Sequence, residues 1–164
     1  MTTVLDTYRD VVQPEWIDHN DHMNMGYYLV VFDAATDAFF DAIGLTRAHR
    51  REHAVTTFSL EAHINYLAEV RKGDPLRFTT RLLGFDEKRI HYFHEMHHGE
   101  DNYLAATNEL MSLHVSEESR RAAPMHASVL EGLHETLERH QKSPLPPQVG
   151  RVMGLTSGAA KPAV

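Results

Sequence analysis

One segment constrains this chain more than any other. Between Met25 and Ile43, apolar residues recur at Met25, Tyr28, Leu29, Phe32, Ala35, Phe39, Phe40 and Ile43, which is the spacing of one helix face. Asn24 stands where a cap is needed and Gly44 where the helix should stop. The opposite face carries Asp33, Asp37 and Asp41, which read as a solvated ridge. A lone helix with an apolar face must be covered, and the sequence beyond it offers mainly strands. After the polar stretch TRAHRREH, residues 54–70 read as a strand or two, ending in the turn Lys72-Gly73-Asp74-Pro75. Leu76, Phe78, Thr80 and Leu82 then alternate with Arg77, Thr79 and Arg81. Beyond a connection at 84–88, Ile90, Tyr92, His94 and Met96 alternate with His91, Phe93, Glu95 and His97. A long strand is predicted over 103–115 and a second helix over 127–140. Residues 7–17, with Pro14 near their end, read as an edge or terminal strand. The predicted fold is therefore α+β, with a curved antiparallel sheet wrapped on one long central helix. That domain occupies 1–140, and 141–164 form a Pro/Gly/Ala-rich tail, expected to be a strap or disordered.

Composition narrows the partners. A chain of 164 residues forms one domain with a real core. Net charge is −7, from 23 acidic and 16 basic residues, and no basic run exists, so nucleic acid is not an expected partner. With no cysteine there is no disulfide, thiolate metal site or Cys nucleophile. The start MTTVLDTYRD lacks the basic end and apolar run of a signal peptide, and no apolar run is long enough to span a bilayer. No membrane association and a cytoplasmic location are expected. The 13 histidines are scattered, and no pair has the H-E-x-x-H arrangement of a zinc protease on a predicted helix. His91, His94, His97 and His98 fall in a predicted strand, where neighbours face opposite ways, so structural or surface roles are expected there.

The stretch EWIDHNDHMNMGYY, from Glu15 to Tyr28, holds the chemistry. A calcium loop needs oxygen ligands at alternating positions, and His22 breaks that pattern. Zinc could use His19, His22 and an Asp, but no fourth ligand is evident, so no metal is expected. The loop feeds directly into the start of the apolar helix, whose first turn presents free N–H groups and a partial positive charge. Covered by the sheet, such an end suits an oxyanion formed at a carbonyl, with a carboxylate one turn upstream to drive the attack.

Asp18-His19-Asn20-Asp21-His22-Met23-Asn24, followed by Tyr28-Leu29 and Phe32-Asp33-Ala34-Ala35, resembles the D-x-N-G-H-M-N…Y…F-[DE]-x-A signature of hotdog-fold acyl-CoA thioesterases of the 4-hydroxybenzoyl-CoA thioesterase group. The resemblance continues through Glu61–Leu67, Gly73–Leu76 and Ala105–Glu109, covering most of residues 10–140. Within the group, the chain is similar to the betainyl-CoA thioesterases associated with carnitine dehydrogenase. The resemblance implies hydrolysis of an acyl-CoA, with betainyl-CoA giving glycine betaine. It places the catalytic aspartate on Asp18 and the oxyanion-hole N–H on Met25, with Asn24 beside it. Asp21 stands where the family has glycine, at a position suited to backbone angles that glycine tolerates.

Asp18 would attack the carbonyl directly or deprotonate water; both routes stay open. His22 and Asn24 are candidates to orient water or substrate. Glu61, His63 and Asn65 are candidate substrate contacts, from this chain or a partner chain, or an ordinary strand face. Trp16, Tyr28 and Tyr66, with Tyr27, could offer aromatic faces to a trimethylammonium group, with charge from Asp33 or Asp37. Arg71 and Arg89, with Lys72 and Lys88, could meet coenzyme A phosphates. The expected partner is the small-molecule acyl-CoA, with no separate cofactor. One sheet over one helix leaves an edge open, which predicts a homodimer or homotetramer. Acyl-chain hydration or dehydration, and acyl-CoA binding without catalysis, are the rival functions.

Overall fold

The computed structural model describes residues 4–155. Strands β1 (Leu5–Val11), β2 (Val55–Tyr66), β3 (Pro75–Phe85), β4 (Arg89–His98) and β5 (Leu104–Ser116) form one antiparallel sheet in the order β1-β3-β4-β5-β2. Helix α1 (Met25–Ala42) lies along one face of the sheet. Helices α2 (Arg47–His53) and α3 (Ala127–His140) complete the fold. A long helix wrapped by a five-stranded antiparallel sheet is the hotdog arrangement.

The core follows the helix period. Tyr28, Val31, Phe32 and Ala35 of α1 pack on Leu76, Phe78, Met96 and Ala106. Two turns further on, Phe39, Phe40 and Ile43 meet Leu82, Ile90 and Tyr92, together with Val129 and Leu133 of α3. Gly132 allows this second contact, because a Cβ there would lie 2.7 Å from the Ile43 carbonyl oxygen. His94 belongs to the core too: it is fully buried, with Nε2 2.9 Å from Thr36 Oγ1 and Nδ1 2.8 Å from Thr80 Oγ1. Thr36 Oγ1 also lies 3.0 Å from the Phe32 carbonyl, to which it donates. It therefore accepts the His94 Nε2–H, leaving Nδ1 to accept from Thr80.

Several boundaries differ from the sequence reading. The first strand stops at Val11 instead of running to 17, because Pro14 opens a 3-10 turn over Pro14–Trp16. Residues 47–53, within the polar stretch TRAHRREH, form α2, capped by the Thr46 hydroxyl accepting from His49 N–H. That helix stacks His49 and His53, four residues apart, near His126. Residues 54–70 hold one strand, ending at Tyr66. Leu29, counted in the apolar stripe, is exposed, as are Met25 and Val30. Of the acidic ridge, Asp33 and Asp41 are exposed, while Asp37 pairs with Arg47 and Arg50 at 3.2 Å each. The described part of the tail approaches β5, where Gly150 N–H donates to Glu109 Oε2 at 2.7 Å. Residues 156–164, the rest of the predicted tail, lie outside the described residues.

Candidate active site

The loop ahead of α1 is held from three sides. Asn24 N–H donates to the Trp16 carbonyl and Met23 N–H to the Val70 carbonyl, both at 2.9 Å. Ile17 and Met23 form an isolated bridge, and between them Asp18 N–H donates to the His22 carbonyl at 3.1 Å. The reversal is a tight turn in which Asp21 N–H donates to the Asp18 carbonyl at 3.1 Å. Asp21 takes φ 64°, the left-handed region that glycine enters most easily and Asp more readily than most residues. Asp18 Oδ1 accepts the Asn20 N–H at 2.8 Å, and Oδ2 has no partner among the described residues. Met23, buried at 2% exposure, is the apolar pin of the loop.

The helix start distributes its donors unequally. Asn24 Oδ1 accepts the Gly26 N–H at 2.9 Å, and the Asn24 carbonyl accepts the Tyr27 N–H at 3.0 Å. Met25 N–H has no acceptor among the described residues. It is a free donor at the positive end of an 18-residue helix. Tyr66 fixes the same turn from the sheet side, donating to the Met25 carbonyl at 3.3 Å while its ring meets Tyr28 edge-on at 5.1 Å. Burial raises the pKa of both phenols, so they stay neutral donors near pH 7.

These groups open onto one cleft of about 480 Å³, lined by Asp18, His22, Asn24, Met25, Tyr28 and Tyr66, with Leu67, Ala68 and Glu69 as the far wall. That wall was missed in the sequence because residues 67–70 read as a continuation of the strand. Leu67 and Ala68 N–H both donate to the Ala105 carbonyl, at 2.9 and 3.0 Å, and this shared acceptor ends the ladder. Glu69 Oε2 lies 4.0 Å from His22 Nε2. Arg71, 2.7 Å from Glu69, holds that carboxyl below its ordinary range without itself lining the cleft.

The other candidates lie elsewhere. Trp16 stacks on Tyr27 at 5.8 Å and does not line the cleft. Glu61 and His63 line a separate cavity of about 620 Å³ with His91, Glu109 and Gly150, on the sheet face turned away from Tyr66. Asn65 shares that face by strand alternation. Arg89 begins β4 and pairs with Asp86 at 2.6 Å. Seven residues separate it from Met96, which shares a ladder level with Ala106 and Tyr66, so Arg89 is about 23 Å along the sheet from the cleft. Among the described residues, no three His, Asp or Glu side chains form a metal-binding group.

Residues 12–133 match the model of the Thioesterase-like superfamily. The chain belongs to that superfamily. Its likeness to a betainyl-CoA thioesterase of Pseudomonas aeruginosa is 41% identity over 155 residues, 94% of this chain and 98% of the relative. An L-carnitine dehydrogenase/betainyl-CoA thioesterase of Rhizobium meliloti is 36% identical over 143 residues, which are 87% of this chain but 29% of that longer protein. Among solved structures, a Staphylococcus aureus protein in complex with CoA superposes with a TM-score of 0.87 at 31% identity, covering 95% of this chain and 98% of its own. A candidate thioesterase of Pseudomonas putida gives 0.82 at 36% identity, covering 96% and 100%. Membership makes this protein a thioesterase, and its family match includes the whole Asp18–Met25 segment.

Proposed function

We propose that this protein hydrolyses betainyl-CoA to glycine betaine and coenzyme A. The observation that carries the reading is the opening of the Asp18 carboxylate and the unclaimed Met25 N–H onto one cleft at the start of α1. The similarity to proteins named betainyl-CoA thioesterases supports the choice of acyl group. In the reaction, the thioester carbonyl oxygen accepts from Met25 N–H, where the helix end stabilises the developing negative charge. Asp18 either adds to the carbonyl carbon, giving a mixed anhydride that water cleaves, or takes a proton from the attacking water. Either route breaks the C–S bond, uses one water, and leaves a carboxylate, a thiol and one proton. No separate cofactor enters. His22 and Asn24 border the reacting atoms, the Tyr28 and Tyr66 rings offer faces to the trimethylammonium group, and Arg71, paired to the cleft-lining Glu69, meets phosphate.

A second copy of the chain belongs on the β2 edge. That strand ends the sheet, and Phe58, Leu60, Tyr66 and Leu67 on or beside it are exposed. Edge pairing would bury them and close the cleft mouth. Light scattering should give a dimer or tetramer mass; a monomer at assay concentration removes this part. The chemistry is tested by following free thiol release from betainyl-CoA. Asp18→Asn should lower kcat at least a hundredfold with the fold intact by circular dichroism. Wild-type turnover in that variant excludes Asp18 as the reacting carboxylate.

A further inference from the structure

A small pocket of about 190 Å³ lies where α2, the end of β5 and the start of α3 meet. Four of its lining residues are histidines: His49 and His53 of α2, His114 of β5, and His126, whose side chain caps α3. The pocket borders Val55, at the opposite end of β2 from the Tyr66 that lines the Asp18–Met25 cleft, and the thioester reaction makes no use of it. His49 and His53 stand four residues apart with Glu52 just before the second. That is the H-x-x-E-H spacing, which sets two zinc-binding imidazoles on one helix face.

His114 is the anomaly. It is 2% exposed, and its Nδ1 lies 2.8 Å from the Ala123 carbonyl oxygen. A carbonyl only accepts, so Nδ1 carries the proton and donates, which leaves a lone pair on Nε2. That Nε2 is buried without a hydrogen-bond partner among the described residues, and so is Nε2 of His49. Two orphan ring nitrogens bordering one pocket point to a ligand that pairs both. Burial, and then the charges of His53, His126 and His114, push the His49 pKa below its ordinary value, so that ring stays neutral near pH 7. A backbone carbonyl behind an imidazole is the usual outer partner of a metal ligand, fixing the ring and raising its basicity. His126 has a hydroxyl in that place: its Nδ1 lies 3.0 Å from Ser128 Oγ, which can accept the Nδ1–H when Nε2 is the ligand.

The ring spacing fits one small ion. An imidazole nitrogen about 2.0–2.1 Å from zinc puts its ring centroid about 3.2 Å from the ion, and two rings of a tetrahedral shell about 5 Å apart. The centroids of His49 and His53 are 4.4 Å apart, those of His53 and His126 4.8 Å, and those of His49 and His126 5.8 Å. No three donors among the described residues converge on one point in the present rotamers. His53 and His126 lie face to face, 25° from parallel, and both are exposed, so their rings are free to turn toward His49 and His114. Arg47 and Arg50 of the same helix are each paired with Asp37, which offsets their repulsion of a dication. Neutral imidazoles suit zinc, nickel or copper, and four of them around one point suit tetrahedral zinc. We propose that His49, His53, His114 and His126 bind one Zn²⁺ ion, which pins α2 to β5 and to the start of α3. Helix α2 has no buried residue of its own, so the ion supplies an anchor that packing does not.

The test is calorimetric titration of ZnCl₂ into the full chain at pH 7.5, stripped with chelator and free of any affinity tag. One ion should bind per chain with a Kd of about 10 μM or tighter. His53→Ala, at an exposed position where folding is not at stake, should weaken binding at least tenfold. So should His126→Asn, which keeps a side chain able to cap α3. His134→Ala, an exposed histidine outside the cluster, should leave the Kd within twofold. Zinc at about a hundredfold excess over Kd should raise the Tm of the wild type by at least about 4 °C, because the ion binds only the folded arrangement. Binding weaker than about 10 μM, a loss below tenfold in either cluster variant, an equal loss in His134→Ala, or no rise in Tm overturns the site. None of these readouts depends on thioester turnover, so the outcome leaves the reading of the Asp18–Met25 cleft untouched.

Discussion

Lowering the pH from 7.5 to 5 should remove about 4 kcal/mol of stability, and two buried histidines set that figure. Burial pushes His94 from its ordinary 6.5 down to about 3. It also pushes His140 down to about 4, with the Arg139 and Arg81 charges acting in the same direction. Each ring uses Nδ1 as an acceptor, from Thr80 O–H in one case and from Leu82 N–H at 2.8 Å in the other, so protonation turns an acceptor against a donor. Both folded values lie below the unfolded one. Stability is therefore complete above about pH 6.5 and falls as the unfolded chain takes up protons that the folded chain refuses. One pH unit in that window is worth about 1.4 kcal/mol per ring. The fall from 6.5 to 5 therefore removes about 2 kcal/mol for each. The shifts at His49 and His97 point the same way. Carboxylates held low by arginines, such as Asp86 at about 2, stay charged throughout this range. Urea unfolding followed by Trp16 fluorescence at both pH values measures the loss, with His94→Gln as the control that halves the pH dependence. A midpoint unchanged between pH 7.5 and 5, or an equal slope in the variant, refutes the assignment of neutral buried rings.

Three further outcomes follow from the geometry. Gly132→Ala should destabilise the protein by about 1–3 kcal/mol, because the added methyl meets the Ile43 carbonyl at 2.7 Å; thermal melting reads it. Asp21→Gly should stabilise by about 0.5–1 kcal/mol in denaturant titration while keeping thioesterase turnover, since φ 64° suits glycine. Tyr66→Phe removes the hydrogen bond to the Met25 carbonyl and should lower kcat/KM about threefold to tenfold, roughly 0.7–1.4 kcal/mol, measured by thiol release.

The helix stripe, its Asn24 cap and the four alternating strands were legible in the sequence because each is a local periodicity set by one face that must leave water. The loop motif was legible for a similar reason: Asp18, Asn24 and Met25 lie within eight residues, and a helix start dictates where their groups point. Three features were not. α2 carries no buried residue, so no apolar period announced it; only Thr46 hinted at a cap. The cleft's far wall depends on a ladder ending at Tyr66, which a shared acceptor on a strand 38 residues away decides. Glu61, His63 and Asn65 matched a motif, yet a strand has two faces, and which one meets α1 is fixed by the β2 bulge and its register with β5.

Sequence alone thus determined the elements, the charge and the acidic loop at the head of α1, since these rest on contacts between near neighbours. Tertiary structure decided which side chains share a cavity. Asn108 reads in the sequence as one more polar residue of a strand, and only packing under α1 leaves its amide without a partner. Burial and sidedness come from residues far apart in the chain, and no local spacing encodes them.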